Sequence, residues 1–598
     1  RIVWLMSPSG QSGLPIVLEQ VTDEHETFQS GGSARSMEHI PSRHRDRWCT
    51  TIPQLRTGAH EAPQRRRRIH TALGCREEER LERRGRRWYT EVTRLNVGEL
   101  PVDLCRGISW NGLLAGFGKI LRRRPDSLPI EAQARLYELS RRSSHLSFFL
   151  SHCWASAGSE KVLALAVHRF GLVALMLSVL FSTAIHLFQI CLYRLPDSFL
   201  RISPWELFGG MLAGWVTICF GHNVLRRGEA GFLDCASIHQ TDMDLKRRGI
   251  EQIAGFLQKS DELIICFDAR YLTRAWCAYE VACFVALNPT GRITLLSTSL
   301  YKQVVRVHVI NIVGAVAVCM CSSTSHFVPD KCKSLFETAT NLILVAIGWA
   351  CYAVIAFVGQ ELASEQRSLN QSLLAFDLRE AYAQSESDKR HIIATVDHIF
   401  EDGVTGFNVH VRTTIKNIFM NPWSSQRSSV PYLLTVMVAV PEMWFFLSFM
   451  TSTHDLGAAF HMTALVWAVT YTFAVLPCLL TVSIILGRRL QEKSAVPIGH
   501  PVWQSVSIGF LVNILNRSVG YVAFGIPSKI ALGHYRPIQG TSSWHAPVYT
   551  VLTSLPFCLT AWWLYRPREL SRTLDETGYS TDSGNSTSDS SDDAPALE

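Results

Sequence analysis

Sixteen cysteines are scattered along this 598-residue chain, yet no two stand in a CxxC pair and none shows metal-ligand spacing. That pattern excludes a disulfide framework and a zinc site as organising features. Seven of them (Cys191, Cys219, Cys319, Cys321, Cys351, Cys478 and Cys558) lie inside apolar runs, where they behave as small hydrophobes. No internal repeat stands out, and no cleavable signal peptide is visible. The chain begins at Arg1 rather than a methionine, so the missing signal carries no weight for targeting. Charge is nearly absent from eight long stretches.

Those stretches set the class. Mean hydropathy is +0.11 and 47% of residues are hydrophobic, although the front end is rich in arginine. The excess lies in residues 170–193, 207–225, 307–324, 338–360, 430–451, 456–487, 502–524 and 547–565. Each is about long enough to cross ~30 Å of hydrocarbon as a helix. Runs of this length rarely recur so often in soluble folds, so we expect a multi-pass α-helical membrane protein with about eight crossings. Lys and Arg collect in residues 226–306, 367–427, 488–493 and 566–572. The connection at 452–455 has none, and the one at 330–336 has only Lys331 and Lys333. With eight crossings every basic segment falls on one side, together with both termini, and that side is expected to be cytoplasmic.

Outside the bilayer the chain divides further. Residues 1–99 are Ser-, Gly- and Arg-rich, with basic clusters at 65–68 and 83–87, and are expected to be disordered. Beside a membrane such clusters suit anionic lipid better than nucleic acid. Residues 100–169 form a lead-in and a first strand, 170–225 two crossings, and 226–304 a compact soluble unit. Residues 305–360 hold two more crossings, 361–427 a helical subdomain, and 428–566 the last four. The tail 567–598, rich in Ser and Asp, is expected to be disordered.

The soluble segments read as alternating strands and helices. Leu146-Ser147-Phe148-Phe149-Leu150-Ser151-His152-Cys153-Trp154 is an apolar run ending in polar residues, the pattern of a buried parallel strand entering a loop. Residues 231–234 give a second strand, 247–258 a helix, 263–267 a third strand, 275–287 a helix and 292–296 a last strand. This alternation predicts a parallel sheet with right-handed crossovers. An even number of crossings between the first two strands returns the chain to the face it left, so both halves can share one sheet.

Ligands of parallel sheets bind beyond the carboxyl ends of the strands. That rule gathers Ser151 and His152 after the first strand, Asp234 after the second and Asp268 after the third. Glu280 lies one helical turn beyond Trp276, on the same face. Such an acidic and aromatic pocket suits a polar ligand carrying a ring and hydroxyls. Each residue also has an ordinary role open to it. Asp234 and Asp268 fit as loop caps, His152 as a hydrogen-bonded core histidine and Glu280 as a solvated helix residue. Inside the apolar runs, Glu442 after Pro441, and Arg517 near Asn513 and Asn516, are ionisable groups of the kind that often serve transport. Pairing within the bundle and snorkelling to an interface are their structural alternatives.

Three segments together resemble the TIR (Toll/interleukin-1 receptor-like) family. Phe148-Phe149-Leu150-Ser151-His152 looks like the family's first strand and box. Phe232-Leu233-Asp234 with Arg248-Gly249-Ile250 looks like its second strand, BB loop and following helix. Tyr271 through Trp276-Cys277-Ala278-Tyr279-Glu280 looks like the stretch carrying its WCxxE signature, the most specific of the three. The resemblance covers less than a fifth of the chain. It implies a flavodoxin-like α/β domain that acts by homotypic self-association or by binding a protein partner. It also implies, as an alternative, cleavage of the N-glycosidic bond of NAD with Glu280 as the catalytic carboxylate and NAD as substrate rather than cofactor. The remaining alternative is a transporter or channel regulated by this insert. The sequence departs from the family in being split by two apolar runs, in a longer loop between Asp234 and Gly249, and in lacking a clear fifth strand after Leu296.

Overall fold

The computed structural model describes residues 100–196, 202–224, 228–288, 290–324, 330–425, 430–493, 501–533, 543 and 545–566. The arginine-rich region 1–99 and the tail 567–598 lie outside the described residues. Among the described residues seven helices are long and apolar enough to cross a membrane, and the architecture is that of a helical membrane protein. They are α1 (Gly158–Cys191), α2 (Trp205–Val224), residues Val345–Leu374, and four later segments, Tyr432–Ser452, Ala458–Gln491, Val502–Ala531 and His545–Tyr565. The expected run at 307–324 is helical, as part of Thr298–Thr324, but is not among the seven.

A six-stranded sheet accompanies these helices. Its strands are β1 (Arg106–Ser109), β2 (Arg141–Arg142), β3 (Phe148–His152), β4 (Ala230–Phe232), β5 (Glu262–Phe267) and β6 (Arg292–Ser297), in the order β2-β1-β4-β3-β5-β6. From β4 to β6 the pairing is parallel, as the sequence predicts. The expectation of a wholly parallel sheet needs correction, because β1 pairs antiparallel with both β2 and β4. Neither of these two strands shows an apolar run: β1 is Arg-Gly-Ile-Ser and β2, at the sheet edge, is Arg-Arg. The expected helix at 247–258 divides at Gln252 into Met243–Glu251 and Ile253–Gln258.

β3 is the central strand, and all five of its residues are buried. Successive side chains on a strand point to opposite faces. Phe148 and Leu150 join Ile264 and Cys266 of β5 on one face, while Phe149 joins Leu263 and Ile265 on the other. The first face packs on α1 and on α4 (Thr298–Thr324), and its core continues without a break to Val438, Trp467 and Leu480 inside the helical bundle. The second face packs on α3 (Ala275–Leu287) and on residues from Leu369 to Phe419. Residues 361–427 are therefore not a separate body. α5 (Asp330–Leu374) delivers Leu369 and Leu373 to this core, followed by Phe376 and by Ile392 and Val396 of α6 (Glu386–Ile399). Tyr382 fixes the join, accepting from the backbone N–H of Ala275 and donating to the carbonyl of Thr273, both at 2.9 Å.

α1 begins as a crossover helix and ends as a membrane helix. Near its start Lys161 donates to the Cys153 carbonyl at 3.0 Å, at the carboxyl edge of the sheet. About two turns later Arg169 pairs with Glu229 at 2.6 Å, next to the start of β4. The helix thus runs antiparallel to the strands, and the carboxyl edge is the end remote from the apolar bundle. α1 and α2 form the hairpin that separates β3 from β4, and Phe148 pairs with Gly231 across it.

A methyl group on Gly231 would lie 2.1 Å from the Phe148 ring. Gly231→Ala should therefore overpack the β3–β4 contact, at a cost of about 1–3 kcal/mol. The expected readout is a lower melting temperature and faster proteolysis of the sheet region in the full-length protein. An unchanged melting curve would contradict this register.

Candidate functional site

Alternation along β3 also divides the expected site. Ser151 faces α3, where its hydroxyl donates to Glu280 Oε2 and also contacts the Tyr271 hydroxyl. Tyr271 is held in turn against the Cys277 carbonyl at 3.4 Å. His152 faces the opposite side, toward Asp234, Trp154 and Lys161. The structure therefore forms two adjoining clusters on either face of one strand instead of a single pocket.

In the first cluster Glu280 is half-buried, with its Oε2 held by the Ser151 hydroxyl. Desolvation pushes its pKa from 4.5 up to about 8; the Ser151 hydrogen bond opposes the rise and the charge of Asp234 adds to it. At neutral pH the carboxyl is mainly protonated. Tyr271, fully buried, has its phenol pushed well above its ordinary range by the same desolvation. Trp276, expected beside Glu280, turns elsewhere. Its ring contacts are with Tyr279 at 5.6 Å and with His391 of α6 at 6.1 Å, so it braces the helix against residues beyond the sheet.

The second cluster centres on Asp234, two residues beyond β4 and at the start of the short helix Asp234–Ser237. Its Oδ2 accepts from the Trp154 indole at 2.7 Å and its Oδ1 from the backbone N–H of Cys235 at 2.6 Å. Asp234 thus acts as a helix-start acceptor, although its side chain remains 45% exposed. Burial is the main cause raising its pKa. The His152 ring packs edge-on against Trp154 at 4.6 Å, and its Nε2 lies 3.8 Å from Asp234 Oδ1 without a hydrogen bond. Burial first, and then the Lys161 ammonium, hold this imidazole well below its ordinary pKa and therefore neutral. Lys161 is 1% exposed and its ammonium lies 5.1 Å above the Trp154 ring.

Asp268 belongs to neither cluster. It caps its own loop, accepting from the Arg270 backbone at 3.0 Å and pairing with the Arg270 guanidinium at 2.8 Å. In the bundle, Glu442 interacts electrostatically with Tyr352 and Tyr471. Arg517 stands on an exposed face of Val502–Ala531, and its neighbour Asn516 accepts from the Tyr471 hydroxyl at 3.0 Å. Tyr471 therefore adjoins both intramembrane charges.

Sequence reasoning missed Glu206, which is 0% exposed. Gln189 donates to it at 2.8 Å and Ser203 at 2.7 Å, and Thr451 donates as well. These donors tie the ends of α1, α2 and Tyr432–Ser452 together around one carboxylate. The signal was its position one residue ahead of an apolar run, where an acidic residue reads as a flanking charge. Among the described residues no group of three or more His, Cys, Asp or Glu side chains is arranged to hold a metal ion.

Comparison with protein-family models, with curated proteins and with solved structures gave no match to this chain.

The Glu280 shift has a definite sign. Its folded pKa, about 8, lies above its unfolded value of 4.5, so the folded state holds this proton more tightly. Its contribution to stability is full below pH 4.5 and is lost as pH rises toward 8. Glu280→Gln should flatten the pH dependence of the melting temperature across this window and leave the variant the more stable protein at pH 8. A wild-type curve that is level from pH 5 to 8 would refute the assignment.

Proposed function

We propose that this chain is an integral membrane protein whose TIR-like unit works in the cytoplasm, by self-association or by binding a protein partner. The observation that carries the reading is the state of the carboxyl edge. Glu280 is engaged by Ser151, Asp234 by Trp154, and Asp268 by Arg270. Groups already satisfied within the chain build a rigid scaffold, and recognition then falls to its surface. The stretch resembling the family's BB loop leads into the helix Met243–Glu251, where Met243 is 73% exposed at the tip.

Chain parity supports the reading of eight crossings with both termini inside. α4 starts at the sheet, where Thr298 donates to the Phe267 carbonyl at 3.4 Å, and α5 ends in the core of the same unit. If the apolar part of α5 crosses the bilayer, α4 must cross it too. The basic segments then share the compartment of the sheet, which the distribution of Lys and Arg assigns to the cytoplasm.

One observation favours a second reading, hydrolysis of NAD. Glu280 is a partly accessible carboxyl with strongly perturbed proton affinity at the carboxyl edge of a parallel sheet, a combination common at catalytic sites. Departure of nicotinamide leaves positive charge on the ribose, and Glu280 in its ionised form would stabilise that charge. The approach of the positively charged nicotinamide ring would itself favour loss of the Glu280 proton.

Full-length protein in liposomes separates the two readings. Chemical cross-linking should give a dimer or larger species that Met243→Asp reduces at least about fivefold, an effect of ~1 kcal/mol. No nicotinamide should be released from NAD by either the wild type or Glu280→Ala. Release by the wild type alone would replace this proposal with the hydrolase reading, and a cross-linking pattern indifferent to Met243 would remove its assembly surface.

A further inference from the structure

The segment Trp110–Arg122 is helical at both ends and broken between them. Ala115 is extended, and Gly116, Phe117 and Gly118 follow with φ of +58°, +56° and +64°. Glycine enters this left-handed region freely, but a phenylalanine there is disfavoured by its Cβ. The flanking pieces bury their apolar side chains, Leu113 and Leu114 before the break and Ile120 and Leu121 after it. Gly118 holds the turn against α1, since a methyl group on it would lie 2.1 Å from Val162. Phe117 is instead turned outward and is 53% exposed. A position suited to glycine or asparagine thus presents a large apolar ring at the surface.

The surroundings of that ring indicate what covers it. It meets Phe220 of α2 edge-on, with centroids 5.7 Å apart. Phe220 is itself 48% exposed and belongs to a helix long and apolar enough to cross a membrane. Neighbouring residues set the height. A methyl group on Gly221 would lie 3.2 Å from the Phe170 ring, where the apolar run of α1 begins. One residue before Phe170, Arg169 pairs with Glu229, which also accepts from the Trp110 indole at 3.0 Å. The Arg169 guanidinium lies 5.2 Å over the Trp110 ring. Charged pairs end and apolar surface begins at this level, the boundary where aromatic side chains collect in membrane proteins.

We propose that Phe117 is an interfacial anchor: its ring enters the headgroup–acyl boundary of the leaflet nearest the sheet, and the partner it binds is phospholipid. The lipid-facing surface of α2 continues onto it through Phe220, so one occupant covers both rings. The break at Gly116–Gly118 lets a segment packed on α1 direct one side chain toward the bilayer. This anchor rests on α1 and α2 crossing a membrane. It is independent of whether the sheet works by assembly or by catalysis.

The test uses full-length protein in phosphatidylcholine nanodiscs, with photoreactive p-benzoylphenylalanine in place of Phe117 or, separately, of Met243. Met243 is exposed beyond the carboxyl end of β4, the end remote from the apolar bundle. Irradiation should add phosphatidylcholine to the peptide carrying residue 117 and none to the peptide carrying residue 243. A second measurement needs no photoreactive residue. In the same nanodiscs, amide hydrogen exchange across residues 113–121 should be about fivefold faster in Phe117→Ser than in the wild type, because the variant buries no ring in lipid. Phe117→Leu, which stays apolar, should exchange like the wild type. Adducts from residue 117 to a second copy of the chain without lipid, lipid adducts at both positions alike, or equal exchange in Phe117→Ser and wild type would overturn the proposal.

Discussion

Pairing of β3 with β4 is the contact on which this architecture depends. The two strands are separated by α1 and α2, both long and apolar enough to cross a membrane, yet Phe148 and Phe149 lie in parallel register with Gly231 and Phe232. Without that ladder β3 has lost one flank, and β1, which joins the sheet only through β4, has no place in it. The carboxyl-edge groups follow from the same contact, since Asp234 reaches Trp154 only when β4 lies beside β3.

Much of the sheet was legible because its inner strands are continuous apolar runs, Phe-Phe-Leu and Leu-Ile-Ile-Cys-Phe, bounded by polar loops. β1 and β2 were not, because strands of four and two residues carry too little pattern to register. Ser151, expected just after its strand, lies within β3, and Glu280 was placed by its helical turn after Trp276; the two side chains are in hydrogen-bond contact. The same rule grouped His152 with them and overlooked that neighbours on a strand face opposite ways. Trp276 shares a helical turn with Glu280, but which side chain turns inward depends on α6, whose approach no local pattern reveals.

Polar residues inside apolar runs were the least legible. Glu442 and Arg517 stand out in sequence because charge is rare there. A group with a fuller set of partners is Glu206, among Gln189, Ser203 and Thr451. One of its partners, Thr451, comes from a helix more than two hundred residues further along the chain. In hydrocarbon a missing backbone donor is answered by whichever helix lies alongside, and that neighbour is a property of the bundle as a whole.

Synthesis runs from the amino end, so β3 emerges long before its partners. Some eighty residues, including two membrane helices, must follow before Gly231 can meet Phe148. Until then Phe148, Phe149 and Leu150 are an exposed, unpaired strand of the kind that invites aggregation. Synthesis of the α1–α2 hairpin thus has to precede closure of the sheet. Translation order makes two apolar helices, each long enough to cross a membrane, the gap that the sheet must wait for.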